Sequence, residues 1–510
     1  MKKLSKIIVL LGVLLVVCAA AFVVSRQEDK KEQIKNSDEI ILTLDSDSVT
    51  ALSWEYEDVS LAFHKDEDTW LYDDDEAFPV DEEKISALLE QFLEFGVAFE
   101  IDEVEDYSQY GLDDPTCTIH ITAGEEEYEI TLGAYSTIDE ERYVSIGDDK
   151  VYLVSHDPME DYEITLEDMI KNDEIPNMNG ATDLQFEGEE NYEISYEEDS
   201  TNTYCADDVY FTDNKPLDST LINSYLNTLS SVSLSEYASY NVTDEELTAF
   251  GLDDPELTIT VEYPVEDEDA DENEETTTTE SFVLHIGRNQ EELEAAMAAE
   301  EESDSEDQEE GTAEVSEDTG STTESTADGD SEDAENQVTA YARVGDSQIV
   351  YVITTDEYDS LMASSYNDLR HKEVITASFD DIDQIDITLE NTDYTITAEV
   401  PEDAEEDTTE KVWHYTGAED ENLDITTLES AITTLAAADA DSFTEESPAE
   451  KEEISFTLHL DNENYPEIKV QLYRYDGENC LAVVDGTTVS KIPRSQVVDL
   501  IEAVNSIVLN

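Results

Sequence analysis

Seven histidines, four cysteines and 134 acidic residues are the groups in this 510-residue chain whose chemistry could be put to work. Histidine comes first, because it titrates near neutral pH and is the commonest metal ligand. His120, His285 and His459 each sit inside an alternating apolar run, flanked by Ile119/Ile121, Leu284/Ile286 and Leu458/Leu460. A period of two puts them on the face opposite those neighbours, the expected solvent face. His64 and His414 fall in hairpin strands, and His156 and His371 in connections; none has HxH or HExxH spacing. Cys117, Cys205 and Cys480 are widely spaced, odd in number and without CxxC spacing, so they read as packing residues, while Cys18 lies in an N-terminal apolar run. No Gly-rich phosphate loop and no G-x-S-x-G elbow occurs. Asp328-Gly329-Asp330-Ser331-Glu332-Asp333 and Asp461-Asn462-Glu463-Asn464 lack the glycine and terminal-Glu spacing of a calcium loop. No cofactor is therefore expected, only weak diffuse association of Ca²⁺ or Mg²⁺. Among so many acids some pair always falls at glycosidase spacing, so that pattern argues nothing.

The balance of 23 Lys and Arg against 134 Asp and Glu, a formal net charge of −111, excludes nucleic acid as a partner and disfavours anionic lipid or wall polymer. It favours solubility and attraction of cations or basic segments, and salt adaptation of the source is a bland cause of the same acidity.

The elements that must position these groups are organised around one hexapeptide. Tyr110-Gly111-Leu112-Asp113-Asp114-Pro115 returns as Phe250-Gly251-Leu252-Asp253-Asp254-Pro255. Before the second copy, Thr243 to Glu246 forms a capping box for a short helix running to Phe250. Gly251 then takes the left-handed position, Leu252 returns to the core, and Pro255 launches the strand 257–261. Gly111, Leu112 and Pro115 act likewise ahead of 117–121. The paired aspartates suit a turn, with cation binding as the weaker reading.

Around each copy the same order of elements can be laid out. The fold class is α+β: three tandem modules, each a mostly antiparallel sheet with one packed amphipathic helix, after an N-terminal transmembrane helix. Module 1 (38–170) has strands 40–44, 49–56, 59–63 and 69–72, the last carrying Trp70. A helix 81–95 with the stripe Ile85, Leu88, Leu89, Phe92 and Leu93 follows, then four strands, 116–123, 127–132, 142–146 and 150–155, with Gly133 and Gly147 marking turns. Module 2 (171–374) repeats this with Tyr204 at the Trp70 position and the helix stripe Leu221, Tyr225, Leu226 and Leu229. Its strands 257–263, 281–286, 339–344 and 348–353 are interrupted by acidic insertions 266–280 and 289–337, which are expected to be disordered apart from a helical start near 291–302. Module 3 (375–510) is degenerate. It keeps Trp413 at the Trp70 position and the stripe Leu428, Ile432 and Leu435, lacks the hexapeptide, and closes on an amphipathic helix 494–508.

At the other end, Lys2, Lys3 and Lys6 precede Ile7 to Val24, eighteen residues without a charge and about 27 Å long as a helix. Segment 1–26 reads first as a retained signal-anchor; cleavage after Ala21, or lipid attachment at Cys18, are the open alternatives. Residues 27–37 read as a tether, and the bulk of the chain as extracytoplasmic at a cell membrane.

The anchor-like start, the Trp70 hairpin, Phe78-Pro79-Val80-Asp81 before the helix and Tyr110-Gly111-Leu112-Asp113-Asp114-Pro115 before the sheet resemble the envelope family catalogued as domain of unknown function 4340. The similarity covers module 1 well, module 2 with insertions and module 3 in outline. It implies anchored extracytoplasmic α+β repeats without established catalytic residues, some relatives being linked to export systems of the ABC-transporter type. The expected function is a non-catalytic binding or scaffold module of the cell envelope, accessory to such a transporter. An extracytoplasmic hydrolase acting on glycan or peptide is the alternative.

Overall fold

Period-two runs joined by tight turns build this protein. The turns carry the residues that tolerate positive φ, as in Asp213-Asn214, Glu390-Asn391 and Asp485-Gly486, where both residues are left-handed, the conformation that matches strand twist in two-residue hairpins. The computed structural model describes residues 39–102, 104–138, 140–154, 156–266, 277–298, 338–400, 411–416 and 423–509. The expected anchor 1–26, the tether 27–37 and most of both acidic insertions lie outside the described residues. Among the described residues no helix is long and apolar enough to cross a membrane.

The first sheet holds β1 (Glu39–Leu42), β2 (Val49–Tyr56), β3 (Val59–Asp66), β4 (Thr69–Tyr72), β5 (Phe95–Ile101), β6 (Cys117–Ala123), β7 (Glu126–Ser136), β8 (Glu141–Ser145) and β9 (Val151–Val154). Its order is β1-β5-β9-β8-β7-β6-β2-β3-β4. The second holds β10 (Asp183–Glu187), β11 (Tyr192–Tyr196), β12 (Tyr210–Thr212), β13 (Lys215–Pro216), β14 (Tyr237–Ser239), β15 (Leu257–Glu266), β16 (Thr277–Arg288), β17 (Ala340–Val344) and β18 (Val350–Ile353), ordered β13-β12-β11-β10-β15-β16-β17-β18-β14. The third holds β19 (Ile382–Leu389), β20 (Thr392–Glu399), β21 (Val412–Tyr415), β22 (Glu452–Leu460), β23 (Glu467–Arg474), β24 (Asn479–Val484) and β25 (Thr487–Pro493), ordered β21-β20-β19-β22-β23-β24-β25. All three orders place a three-strand hairpin unit beside a four-strand meander, and the ladders are antiparallel. In the first two an extra strand, β5 or β14, follows the meander at its far edge. Sheets dominate, and the class is α+β.

Between hairpin and meander the chain crosses as a helix: α1 (Glu82–Leu93), α2 (Ser219–Ser230) and, in the third sheet, Thr426–Thr433. α1 starts where Asp81 accepts from the amides of Glu83 and Lys84, and α2 where Asp218 accepts from those of Thr220 and Leu221. α1 buries Ile85, Leu88, Leu89 and Phe92, the Phe92 ring 6.2 Å from that of Tyr162. There Trp54 lies 5.6 Å from Phe63 and 5.4 Å from Tyr162, and the Tyr162 hydroxyl donates to Leu88 O at 3.0 Å.

The chain divides into two compact units, 1–173 with the first sheet and 174–510 with the other two. The expected boundary at 374/375 thus falls inside a unit. Other differences are local. The helix expected to reach Phe95 stops at Leu93, because Phe95, Val97 and Phe99 belong to an aromatic and β-branched run that pairs with β9. Ile222, not Leu221, is the first buried stripe residue of α2. Gly133 lies within β7 instead of a turn. The first acidic insertion is shorter than expected, since Thr277-Thr278-Thr279 is β-branched and extends the ladder to Glu266↔Thr277. A helix at 290–298 does open the second, capped by the Asn289 side chain, which accepts from the amides of Glu291 and Glu292 at 3.0 Å.

Candidate functional site

Both hexapeptides end a helical turn in one way. Tyr110 closes a 3₁₀ turn (Tyr107–Tyr110), and Phe250 follows α3 (Asp244–Ala249), which has the expected Thr243/Glu246 capping box. The Leu112 amide donates to Tyr107 O at 3.1 Å and Gly111 to Ser108 O at 3.2 Å; Leu252 donates to Leu247 O at 2.9 Å and Gly251 to Thr248 O at 3.2 Å. These are Schellman pairs, with Gly111 and Gly251 at φ of 70° and 68°. Asp253 accepts from Thr248 Oγ1 at 3.1 Å, Asp113 is exposed, and Pro115 and Pro255 precede β6 and β15. Leu252 is buried with Val242, Val350 and Leu247. Leu112, expected to be equally buried, is only half-buried. The first copy has two fewer residues between Val104 and Tyr110 than the second has between Val242 and Phe250. It makes only a 3₁₀ turn, and Tyr107 stands where Leu247 would pack.

The hexapeptide's partners escaped sequence reasoning. Tyr110 packs on Tyr143 at 5.0 Å and Phe250 on Tyr341 at 4.8 Å. Each turn rests on a strand glycine. A Cβ on Gly133 would meet Tyr110 O and come 3.0 Å from the Leu112 side chain; one on Gly287 would meet Gly251 O and come 2.8 Å from its carbonyl carbon. In the third sheet the ladder puts Tyr473 at this position, one residue past Leu472, as Gly133 follows Leu132 and Gly287 follows Ile286. A turn of this kind has no room to dock there.

The hairpin aromatics follow register as well. Trp70 pairs with Lys65, two residues past Phe63, and Trp413 with Ala398, two past Ile396; Phe63 and Ile396 face Leu52 and Ile385. In the second sheet that place belongs to Tyr210, paired with Tyr196, and not to Tyr204. Residues 197–209 leave the sheet, and Tyr204 packs on Tyr465 at 5.5 Å against the core of the third sheet.

This excursion walls a cleft of about 750 Å³ between the second and third sheets. Its floor is a network. His371 donates through Nε2 to Asp208 at 2.7 Å, and Asp208 accepts from Thr203 Oγ1 at 2.6 Å. Nδ1 of His371 lies 3.7 Å from Asp218, the cap of α2. The Asp208 side chain is 1% exposed, so its charge is supported by those two partners rather than by water. Burial alone would lower the His371 pKa, but the hydrogen bond and charge of Asp208, with Asp218 and Glu373, outweigh it and raise it. The carboxylate, not the imidazole, stands at the centre, so His371 is not poised to take a proton from Thr203, as a nucleophile triad would need. Asp218, His371 and Glu373 could converge on a metal ion, their ligand atoms all lying within 4.8 Å of one another. Three cations on the same cleft oppose that.

Those cations are Lys215, Arg370 and Lys372. The Arg370 guanidinium lies 5.0 Å from the Tyr366 ring and 4.2 Å from the Phe443 ring, and Lys215 is 5.4 Å from Tyr366. None of the three pairs with a described carboxylate, whereas Arg142 pairs with Asp157 at 2.5 Å and Arg288 with Glu256 at 3.1 Å. Tyr366 opens α5 (Tyr366–Leu369), which follows α4 (Thr355–Met362), is capped by the Ser365/Asp368 box and is tied to α2 through Asp218 N→Leu369 O at 3.0 Å, while Phe443 follows the 3₁₀ turn Ala440–Ser442.

Residues 70–238 match the family model of a domain of unknown function, DUF4340. No curated protein and no solved structure matches the chain. The DUF4340 match begins at Trp70 in β4 and ends in β14, so it takes in the first hexapeptide, Tyr204, Asp208 and Lys215 but not Arg370 or His371.

The other histidines are spread over the sheets. His120 is exposed as expected, while His285 and His459 are half-buried. His459 meets Asp386 at 2.8 Å and Glu467 at 3.5 Å; burial and the nearby Arg343 hold His285 below the usual range. His64 pairs with Asp73 and His156 with Asp161. Cys117 and Cys480 are buried free thiols, pushed up by burial to about 12 and about 11, and Cys205 is a half-buried one.

Proposed function

We propose that the protein is a non-catalytic binding or scaffold protein whose binding site is the cleft between the second and third sheets. The supporting observation is that Lys215, Arg370 and Lys372 line it without carboxylate partners in a chain of net charge −111. Isolated lysines such as Lys65 and Lys84 also lack such a partner, but three such cations gathered with aromatic rings on one cleft suit an external anion. On this reading the three sheets of common order are copies of one module, and the third, lacking the hexapeptide, is a terminus that supplies one wall. The apolar run Ile7–Val24 tethers the molecule to a membrane with its bulk on the extracytoplasmic side. An accessory role to an ABC-type export system is what the family resemblance suggests.

The hydrolase alternative has a specific observation to draw on, the Thr203–Asp208–His371 chain, although its order does not suit a nucleophile. One experiment separates the two. Chemical cross-linking of the full chain in its native membranes should capture a partner, and Arg370→Gln with Lys372→Gln should abolish the capture. Turnover of a glycan or peptide panel that is lost in Asp208→Asn would replace this proposal with the hydrolase. Capture that is indifferent to the two cations would remove the cleft from it.

A further inference from the structure

The lining of the cleft says more about its ligand than its charge does. Beside the cations stand three tyrosines and a phenylalanine: Tyr204, Tyr366, Tyr465 and Phe443. Most of the rest are hydroxyl and amide groups, among them Asn202, Asn367, Thr376, Thr487, Thr488 and Ser490. No wall is a continuous aliphatic surface, so an acyl chain would leave open groups such as Asn367, Thr487 and Thr488 without partners, at a cost for each. A hydroxylated ring body suits them: its equatorial hydroxyls pair with amides and side-chain hydroxyls, and its flat C–H face rests on an aromatic ring.

The anion's place follows from Arg370. Two ring contacts restrain the guanidinium, and a guanidinium presents paired N–H donors that a carboxylate or phosphate accepts. Lys215 and Lys372 line the same cleft and add point charges. Glu373 and Glu445 also border the cleft, both exposed. Asp208 and Asp218 lie at the floor against His371, and the charge beyond the cleft is screened over ~8 Å at physiological salt, so what singles out an anion here is the set of donors on Arg370, Lys215 and Lys372 and not the net local charge.

We infer that the cleft binds a small anionic saccharide, a sugar acid or sugar phosphate, with its oxyanion on Arg370 beside Lys215 and Lys372 and its ring against the remaining aromatic lining, Tyr204 and Tyr465. This rests on the cleft being a binding site, and it supplies the ligand class. The purified full chain, titrated by calorimetry at low ionic strength, provides the test. The probes are glucuronic acid, glucose 6-phosphate, glucose and inorganic phosphate, which separate acid from phosphate and sugar from bare anion. At least one of the two anionic sugars should bind ~10-fold or more tightly than both glucose and inorganic phosphate. Arg370→Gln should weaken it ~10-fold or more, Arg370→Lys by less, since the charge stays and the fork goes, and Lys84→Gln on the exposed face of α1 not at all. Unchanged hydrogen exchange at 203–209 certifies the fold of each variant; should Arg370→Gln disturb it, Lys215→Gln with Lys372→Gln takes its place. Equal affinity for glucose or for inorganic phosphate, no saturable binding, or equal losses in Arg370→Gln and Lys84→Gln would each overturn the inference. If the sugars fail while cross-linking capture still depends on Arg370, the ligand class is wrong and the binding site stands.

Discussion

Gly287→Ala should loosen the second hexapeptide turn, although Gly287 sits in a strand with no left-handed φ of its own. The new Cβ would lie 2.8 Å from the Gly251 carbonyl carbon, and still closer to its oxygen, where carbons settle at ~3.5 Å or more. β16 is held by ladders on both sides, so the turn must retreat by roughly 0.7 Å. That stretches Leu252 N→Leu247 O, now 2.9 Å, and Gly251 N→Thr248 O, now 3.2 Å, beyond useful hydrogen-bond length. Two bonds at ~1 kcal/mol each, with part of the ~1.5–3 kcal/mol that burying Leu252 contributes, come to about 2–4 kcal/mol. Amide exchange of residues 244–256 should therefore accelerate by roughly 30-fold to 700-fold. Gly345→Ala is the control. Gly345 has φ of 45° with nothing within 4 Å of its Cβ, so it incurs backbone strain of ~1–2 kcal/mol in its own hairpin and leaves 244–256 alone. If Gly287→Ala exchanges like wild type there, or no faster than Gly345→Ala, the turn does not depend on the strand glycine.

Three further outcomes are expected. Leu252→Ala should destabilise the second sheet by ~2–5 kcal/mol in denaturant unfolding followed by exchange, and Leu112→Ala the first by clearly less, since Leu112 is half-buried; equal losses would contradict the difference between the two turns. His371 has a raised folded pKa, so its stabilisation of the 203–209 loop is full below the unfolded value of ~6.5 and fades as pH climbs through the folded one. Protection factors of that loop should fall from acid to mildly alkaline pH in wild type and stay level in His371→Gln; parallel profiles would refute this. Replacing 299–337 with a short Gly/Ser turn should leave the second sheet folded, because doubling a loop costs only ~0.6 kcal/mol of closure entropy, and loss of cooperative unfolding would show otherwise.

Much of this architecture was legible because it is local. The hairpin runs, the stripe Ile85–Phe92, the capping box at Thr243 and the left-handed Gly251 each follow from neighbours a few residues apart. β5 was masked because its apolar residues continue the helix stripe without a break. The place of Trp70 passes to Tyr210 and not to Tyr204, because residues 197–209 are inserted between paired strands and only ladder register shows it. The cleft was out of reach, since 203–216, 366–376 and 443–490 meet only through packing. The one available cue was three scarce cations, Lys215, Arg370 and Lys372, two of them a residue apart.

Tyr204 is made long before its partner. On a ribosome, 261 residues separate it from Tyr465, roughly 13–50 s of synthesis at about 5–20 residues per second. Through that interval the second sheet can close its ladders and His371 can reach Asp208, but the Tyr204 ring of the 197–209 arm has no Tyr465 to pack on. The arm is then an exposed aromatic hook, open to proteases, chaperones or the matching surface of a second chain. A chain truncated before β23 would carry the hook permanently, and exchange of this arm between two molecules is the misassembly the layout invites.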